Sequence, residues 1–260
     1  MILLDAHCHL DHYFFKDDLD QVIENARKAG VKVIISSGIN PESNRKVLAL
    51  TEKYDIVKAS LGIYPVDALQ KEIEAGEYPM KPNIFNVDEE IEFIRKNKDK
   101  CIAVGESGLD FFWIKDKNTE QAELFNKMIK LAEKLNKPLI VHSRKAEKEC
   151  LDMLESSSVK KIILHCFSGK KKLVIKARDN GWFFTIPTNV VKSHQFQDMV
   201  KLVNLSQLLT ETDAPYLSPF KDKRNEPAFV KESIKKIAEL KGMNEEEVAN
   251  NIYMNYQNIF

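Results

Sequence analysis

The chain has 260 residues, of which 43% are apolar and 30% are charged, and its 39 basic side chains balance its 39 acidic ones. This composition supports a sizeable core, and the zero net charge means that any contact with nucleic-acid phosphates has to be local, through patches or metal ions. No apolar run approaches the roughly 18 residues of a membrane span, and the N-terminus lacks the basic segment of a signal peptide. We therefore expect a cytoplasmic protein that does not associate with membranes.

Short apolar runs alternate with amphipathic helical patterns along the chain. The runs are rich in Val, Ile and Leu at both parities, which is typical of parallel strands covered on both faces. The predicted strands are 2–7, 31–37, 56–62, 101–106, 138–142, 161–165, 181–186 and 208–213. Eight strands that alternate with helices favour an α/β fold, a single (βα)8 TIM barrel over residues 1–260, over an open doubly wound sheet. The stretch 64–86 is longer than a simple loop and predicts an extra helical excursion at the mouth of the barrel.

Local signals predict where several helices begin and end. Asn118 with Gln121 has the spacing of a capping box, in which two residues satisfy each other's backbone N–H groups, and Asn244 and Glu247 are predicted to open the final helix. The first of these helices is predicted to end near Asn136, just before a proline. No GxGxxG or GxxxxGK[ST] motif is present, which argues against a common nucleotide-binding fold.

Polar residues follow the predicted strand ends, where a barrel gathers its catalytic groups at one rim. Imidazole and carboxylate ligands suit zinc, manganese or iron, and carboxylates also recruit magnesium. Four histidines and two acids exceed one tetrahedral site, whereas two metal ions about 3.5–4 Å apart, bridged by a carboxylate, would use them all. The candidate ligands are His7, His9, Glu106, His142, His165 and Asp213.

Each candidate ligand also has a structural explanation. A lone histidine at a strand end is more often a hydrogen-bonded structural side chain, although six such positions at one rim make coincidence a poor explanation. Glu106 follows an apolar run in which an unpaired carboxylate would be costly, so it needs either a metal ion or a salt bridge to Arg144. Asp213, in a TDAP turn, can merely cap the segment that follows.

With these residues placed, the chain resembles a known family. The segments DAHCHLD, VGESGLDF, PLIVHSRKA, ILHCFSG, TETDAPYLSP and RNEPAFV resemble, in order, signatures of the TatD-like metal-dependent deoxyribonucleases, within the amidohydrolase-type barrels. The resemblance implies two divalent metal ions (Mg, Mn or Zn) and 3′–5′ exonuclease activity on DNA, with single-stranded ends as the substrate and no obligate protein partner. It implies that all six candidates are ligands, that Glu106 bridges the metals, and that Asp213 acts as base or orienter for the attacking water.

Three further residues are candidates for substrate binding. Arg144 and Arg224 could each clamp a phosphate through two N–H groups, or form rim salt bridges instead. Where the resembling family commonly has GxHP, this chain has GIYP, and Tyr64 could hydrogen-bond a phosphate or stack on a base. Where that family often has two tyrosines after GLD, this chain has Phe111 and Phe112, which lack hydroxyls. With the tryptophan that follows them, these rings form either a stacking platform or ordinary packing.

Two other functions stay open at this point. A metal-activated water would also cleave an ester or amide, as in an aminoacyl-tRNA deacylase, although Glu106 stands where some amide hydrolases have a carbamylated lysine. A non-catalytic binding barrel is the second alternative, and the intact set of six ligands argues against it. His12 and His194, in a loop and at a helix start, are predicted to be exposed and have no assigned role.

Overall fold

The structure is a computed structural model that describes residues 1–69 and 85–260. Eight strands form one sheet in chain order, and each neighbouring pair is parallel. The sheet curves until β1 meets β8, which confirms the predicted (βα)8 barrel. The strands are β1 (Leu3–Cys8), β2 (Val31–Ser37), β3 (Val57–Leu61), β4 (Ala103–Asp110), β5 (Leu139–Arg144), β6 (Ile162–Leu164), β7 (Phe183–Pro187) and β8 (Leu208–Glu211).

Helices lie between the strands and cover the outer face of the barrel. They are α1 (Leu19–Ala29), α2 (Pro41–Lys53), α3 (Pro65–Leu69), α4 (Val87–Lys96), α5 (Asn118–Leu135), α6 (Glu147–Glu155), α7 (Lys171–Asp179), α8 (His194–Leu202), α9 (Val230–Lys241) and α10 (Glu245–Ile259). The apolar faces of most helices pack against the strands in one large core, and Val66 of α3 belongs to a second, smaller cluster. Among the helices described, none combines the length and apolar character needed to cross a membrane.

Two of the three predicted helix-end signals are confirmed. Asn244 and Glu247 form a reciprocal capping box at the start of α10. Asn136 ends α5 in the left-handed conformation, with φ of 51°, as a C-terminal asparagine can. The stretch 64–86 contains the short helix α3, and residues 70–84 of that predicted excursion lie outside the described residues.

The predicted capping box at Asn118 is wrong. Lys117 occupies the N-cap position of α5, and Gln121 is buried rather than turned back to the helix start. The Gln121 amide oxygen accepts from Asp110 N at 2.7 Å, and its nitrogen donates to Asp110 O at 3.1 Å and to Ile114 O at 3.2 Å. The side chain is therefore recruited to hold the end of β4, a tertiary contact that sequence spacing does not contain.

The seam between β1 and β8 is closed by side chains that bond across it. The Thr210 hydroxyl donates to the Leu4 carbonyl at 2.6 Å. The backbone N–H and hydroxyl of Thr212 donate to the two carboxylate oxygens of Asp5 at 2.9 and 2.5 Å. Burial raises the pKa of Asp5 to about 8 even though these donors lower it, so the charged form of Asp5 would be still less stable without them.

Beyond these side chains the two backbones bond directly. Asp213 N donates to His7 O at 2.9 Å, and His9 N donates to Ala214 O at 2.8 Å. These two bonds fix the register in which His7 of β1, and His9 just after it, face an acid that follows β8. The hydrogen bonds that close the barrel therefore also bring together part of the polar rim.

We expect the substitution Thr212→Val to lower the free energy of unfolding by about 1–3 kcal/mol, because it removes one donor from a buried carboxylate without a change of volume. Chemical denaturation monitored by circular dichroism measures this change. Ser156→Ala, at an exposed helix end, is the control, and we expect it to change stability by less than about 0.5 kcal/mol. Equal stability of the two variants would mean that the seam hydrogen bond contributes nothing.

Candidate metal centre

The structure brings all six candidate ligands to the carboxyl-end rim of the barrel. Two come from β1 and its end, one each from β4 and β5, and one each from the segments that follow β6 and β8, so residues remote in sequence meet above the barrel axis. Most of their side-chain area is buried. They are His7, His9, Glu106, His142, His165 and Asp213.

Four donor atoms form a first group. His7 Nε2 lies 3.3 Å from Glu106 Oε2 and 3.7 Å from Asp213 Oδ1. His9 Nε2 lies 3.4 and 3.5 Å from the same two oxygens. A tetrahedron of ligands with bonds of about 2.1 Å has edges of about 3.4 Å. The four separations are close to that length, and His7, His9 and Asp213 form a group of donors that could hold a divalent cation.

Three donor atoms form a second group. Glu106 Oε1 lies 2.8 Å from His142 Nδ1 and 3.1 Å from His165 Nε2. The two ring nitrogens are 3.2 Å apart. Glu106 therefore offers one carboxylate oxygen to each group, which is the arrangement expected of a bridging ligand.

The electrostatics of the cluster fit a cation. Within the described part of the chain, the buried Nε2 atom of His7 has no hydrogen-bond partner, and such an orphaned nitrogen is costly unless a ligand occupies its lone pair. Burial and the neighbouring His165 lower the pKa of His7, which favours the neutral form that binds metals. Burial opposes charge on Glu106, but the surrounding imidazoles overcome it and hold its pKa well below the ordinary value.

Residues outside the predicted set orient the two histidines of the first donor group, His7 and His9. His9 Nδ1 donates to the Ser37 carbonyl at 3.1 Å, and the Ser37 hydroxyl lies 3.1 Å from His7 Nδ1. One residue at the end of β2 thus engages the rear nitrogen of both rings and leaves each Nε2 directed at the cluster. Such outer partners fix the ring orientation and the tautomer of metal-binding histidines.

Two buried carboxylates play the same part for the other histidines. Asp110 Oδ2 lies 3.0 Å from His142 Nε2, and Glu211 Oε2 lies 3.5 Å from His165 Nδ1, which is long for a hydrogen bond. Glu211 in turn accepts from the Thr185 hydroxyl at 2.6 Å. Sequence reasoning missed both acids, although each lies inside a quoted motif, GESGLD or TETD, near a strand end. The signal that could have found these two residues is an acidic side chain within a mostly apolar predicted strand or next to its end.

Two glycines let the strands that carry Glu106 and His142 approach their neighbours. A Cβ on Gly62 would lie 2.6 Å from Glu106 N, closer than real Cβ atoms come. Gly108 has φ of 155°, and a Cβ there would overlap the carbonyl of His142. Both positions need glycine because backbone atoms of the neighbouring strand occupy the space that a side chain would fill.

The candidate substrate-binding residues are placed differently from one another. Tyr64 is buried, donates its hydroxyl to Asp110 Oδ2 at 2.6 Å, and sets its ring edge-on to His142. Arg144 forms no ion pair with Glu106, and its guanidinium lies 3.9 Å over the ring of Phe112. The structure therefore does not contain the Glu106–Arg144 salt bridge that could have explained a buried carboxylate at this position.

Arg224 is engaged in a rim ion pair. Its two terminal nitrogens donate to the Asp18 carboxylate at 3.0 and 2.6 Å, and its guanidinium lies 4.4 Å from the ring of Phe15. It also donates to the carbonyl of Phe14. Of the two arginines, Arg144 is thus the one that forms no ion pair within residues 1–69 and 85–260.

A parallel barrel that gathers four imidazoles and two carboxylates at its carboxyl-end rim is the architecture of a metal-dependent hydrolase. The particular family follows from comparison with known proteins.

Residues 4–260 match the family described as TatD related DNase. The human deoxyribonuclease TATDN3 is 35% identical over 251 residues, which cover 95% of this chain and 90% of that protein. An uncharacterized metal-dependent hydrolase of Methanocaldococcus jannaschii is 38% identical over 255 residues, with coverages of 97% and 94%. The crystal structure of YjjV, a TatD homolog from Escherichia coli, is 26% identical with a TM-score of 0.87, covering 99% of this chain and 97% of that one. The chain therefore belongs to the TatD related DNase family of metal-dependent hydrolases, which confirms the resemblance.

We expect Glu211→Gln to weaken metal binding by about 10–100-fold, because it keeps the shape of the side chain but removes the charge opposite His165 Nδ1. Competition with a chromophoric chelator measures the dissociation constant. Ser233→Ala is the matched control, since Ser233 is also buried but lies in α9. Unchanged affinity in Glu211→Gln would show that this acid does not tune the cluster.

Proposed function

We propose that the protein hydrolyses phosphodiester bonds of DNA as a metal-dependent 3′–5′ exonuclease that acts on single-stranded ends. The observation that carries this proposal is the position of Glu106, whose two oxygens belong to two different donor groups. A bridged pair of cations suits the displacement reaction at a phosphate, where both the attacking and the leaving oxygen carry charge. The name of the human relative, deoxyribonuclease, supports DNA as the substrate.

In this proposal the first cation is held by His7, His9, Glu106 and Asp213, and the second by Glu106, His142 and His165. Magnesium, manganese and zinc are all compatible with this mixture of nitrogen and oxygen donors. Bound there, such ions lower the pKa of water and offset negative charge on the phosphate.

Asp213 is the proposed base or orienter for the attacking water. Its side chain is 16% exposed, whereas that of Glu106 is 5% exposed, so Asp213 is the acid that an incoming water can reach. Burial opposes charge on Asp213, but the hydrogen bond to His9 and the nearby imidazoles lower its pKa, so it stays ionised and can accept a hydrogen bond from the attacking water.

Arg144 is the proposed contact to a phosphate oxygen, since its guanidinium lies over Phe112 and forms no ion pair with a carboxylate of the described residues. We propose that Tyr64 acts as a positioning residue through its hydrogen bond to Asp110, which in turn orients His142. The direct contacts of Tyr64 and Arg224 with substrate, which the sequence suggested, stay predictions.

We expect metal content to report the bridge directly. Glu106→Ala removes an oxygen from both groups, so it should lower the metal content from about two ions per chain towards zero. His9→Ala and His142→Ala each remove a donor from one group only and should leave about one ion. His194→Ala, an exposed histidine at the start of α8, is the control. Elemental analysis after dialysis measures the content, and full content in Glu106→Ala would contradict the bridging role.

We expect the wild-type protein to convert 5′-labelled single-stranded DNA into a ladder that shortens from the 3′ end and disappears with a chelator. Asp213→Asn should lower kcat by about 10²–10⁴-fold, the usual contribution of a positioned acid or base. Gel electrophoresis of timed samples measures both effects, with His194→Ala as the control. Deacylation of aminoacyl-tRNA without cleavage of DNA would replace this proposal with an ester hydrolase.

A further inference from the structure

A cluster of exposed rings follows the end of β1. Tyr13 and Phe14 are 58% and 48% exposed, and their rings contact that of His12 at centroid distances of 4.5 and 4.8 Å. Tyr216, which follows β8 and is 40% exposed, sets its hydroxyl 3.1 Å from His12 Nε2. These four residues form one surface, here called the seam platform. Contiguous exposed rings are costly in water and mark a binding surface.

The seam platform is attached to the first donor group of the metal centre. His12 N donates to the carbonyl of His9 at 3.1 Å, and Tyr216 N donates to the carbonyl of Asp213 at 2.9 Å. Arg224 donates to the carbonyl of Phe14 and so braces the loop from outside. These backbone hydrogen bonds hold the seam platform one turn away from two candidate ligands, His9 and Asp213.

A second aromatic surface is attached to the second donor group. Phe112 is 40% exposed, and its ring contacts that of Trp113 edge-on at 5.0 Å and carries the Arg144 guanidinium 3.9 Å above it. The backbone N–H groups of Phe112 and Trp113 both donate to Asp110 Oδ1 at 2.9 Å, and Asp110 holds His142. Phe112, Trp113 and Arg144 are here called the β4–β5 platform.

The two platforms lie on opposite sides of the metal centre. The strands follow the order β1 to β8 around the barrel, so the seam between β8 and β1 is diametrically across from β4 and β5. A chain that passes from one platform to the other has to cross the rim above the donor atoms.

We propose that the two platforms bind unpaired nucleobases on either side of the scissile phosphate, which makes the site specific for a single strand. This inference rests on the proposed nuclease function and adds the elements that select the substrate. Bases of any sequence stack on aromatic rings, whereas the bases of a duplex are already stacked on one another. The platforms therefore accept a strand only where it is unpaired.

The charge of the protein agrees with stacking as the source of affinity. With 39 basic and 39 acidic side chains, the chain has no general excess of positive charge with which to hold a polyanion. Within residues 1–69 and 85–260, Arg144 has no carboxylate partner and sits on the β4–β5 platform, where it can reach the phosphate between two stacked bases.

The test compares Phe14→Ala and Phe112→Ala with the wild type in KM and kcat on two substrates. One is a single-stranded oligonucleotide, and the other is bis(p-nitrophenyl) phosphate, a phosphodiester without a strand on either side. We expect KM for the oligonucleotide to rise by about tenfold relative to KM for the small diester, since one stacked base contributes roughly that factor. The control is Met254→Ala, which removes a 58% exposed side chain from α10. Phe14→Trp, which keeps an aromatic ring at this position, should retain the wild-type KM.

Abasic oligonucleotides make the test specific for stacking. Removal of bases near the 3′ end should raise KM of the wild type, and the same removal should have less effect on Phe14→Ala or Phe112→Ala. An unchanged KM for the oligonucleotide in both variants would contradict the proposal that the platforms bind nucleobases. An equal loss of activity on both substrates would also contradict it, since it would show that the rings have a structural role. A wild-type protein that hydrolyses the small diester but no DNA would instead refute the proposed nuclease function.

Discussion

The rest of the site depends on one buried carboxylate among four imidazoles. Glu106 lies within 3.4 Å of a nitrogen of His7, His9, His142 and His165, and each of its oxygens faces two of these rings. A carboxylate removed from water is expensive unless cations or donors surround it. The cluster therefore depends on Glu106, because its removal would leave two pairs of histidines with no common partner.

The barrel holds this arrangement through contacts that lie one layer further out. Ser37, Asp110 and Glu211 face the rear nitrogens of the four histidines, and glycines at 62 and 108 let the strands that carry Glu106 and His142 come close. The seam bonds between β1 and β8 complete the ring of strands. Stability and ligand geometry are coupled here, since the same hydrogen bonds that close the barrel also set the register of the candidate ligands.

In our proposal the cluster of donor atoms carries out bond cleavage, whereas the rim selects the substrate. The donor groups are made of mostly buried side chains, but the two aromatic platforms and Arg144 stand on the exposed surface that a strand would meet first. Of the residues that depart from the resembling family, Phe112 lies on this exposed surface, whereas Tyr64 is buried. Tyr64 is linked to the cluster through Asp110, so the rim and the donor atoms share one hydrogen-bonded network.

The barrel and the six candidate ligands could be predicted from the amino-acid sequence, because strand periodicity, the residues that open the last helix and the polar residues at strand ends are all local signals. The partners of individual side chains could not be predicted in this way. Gln121 leaves its predicted cap to hold β4, Arg224 pairs with Asp18, and Ser37 supports two histidines about thirty residues away in sequence. Such contacts depend on which strand ends become neighbours when the barrel closes, and spacing along the chain does not record that.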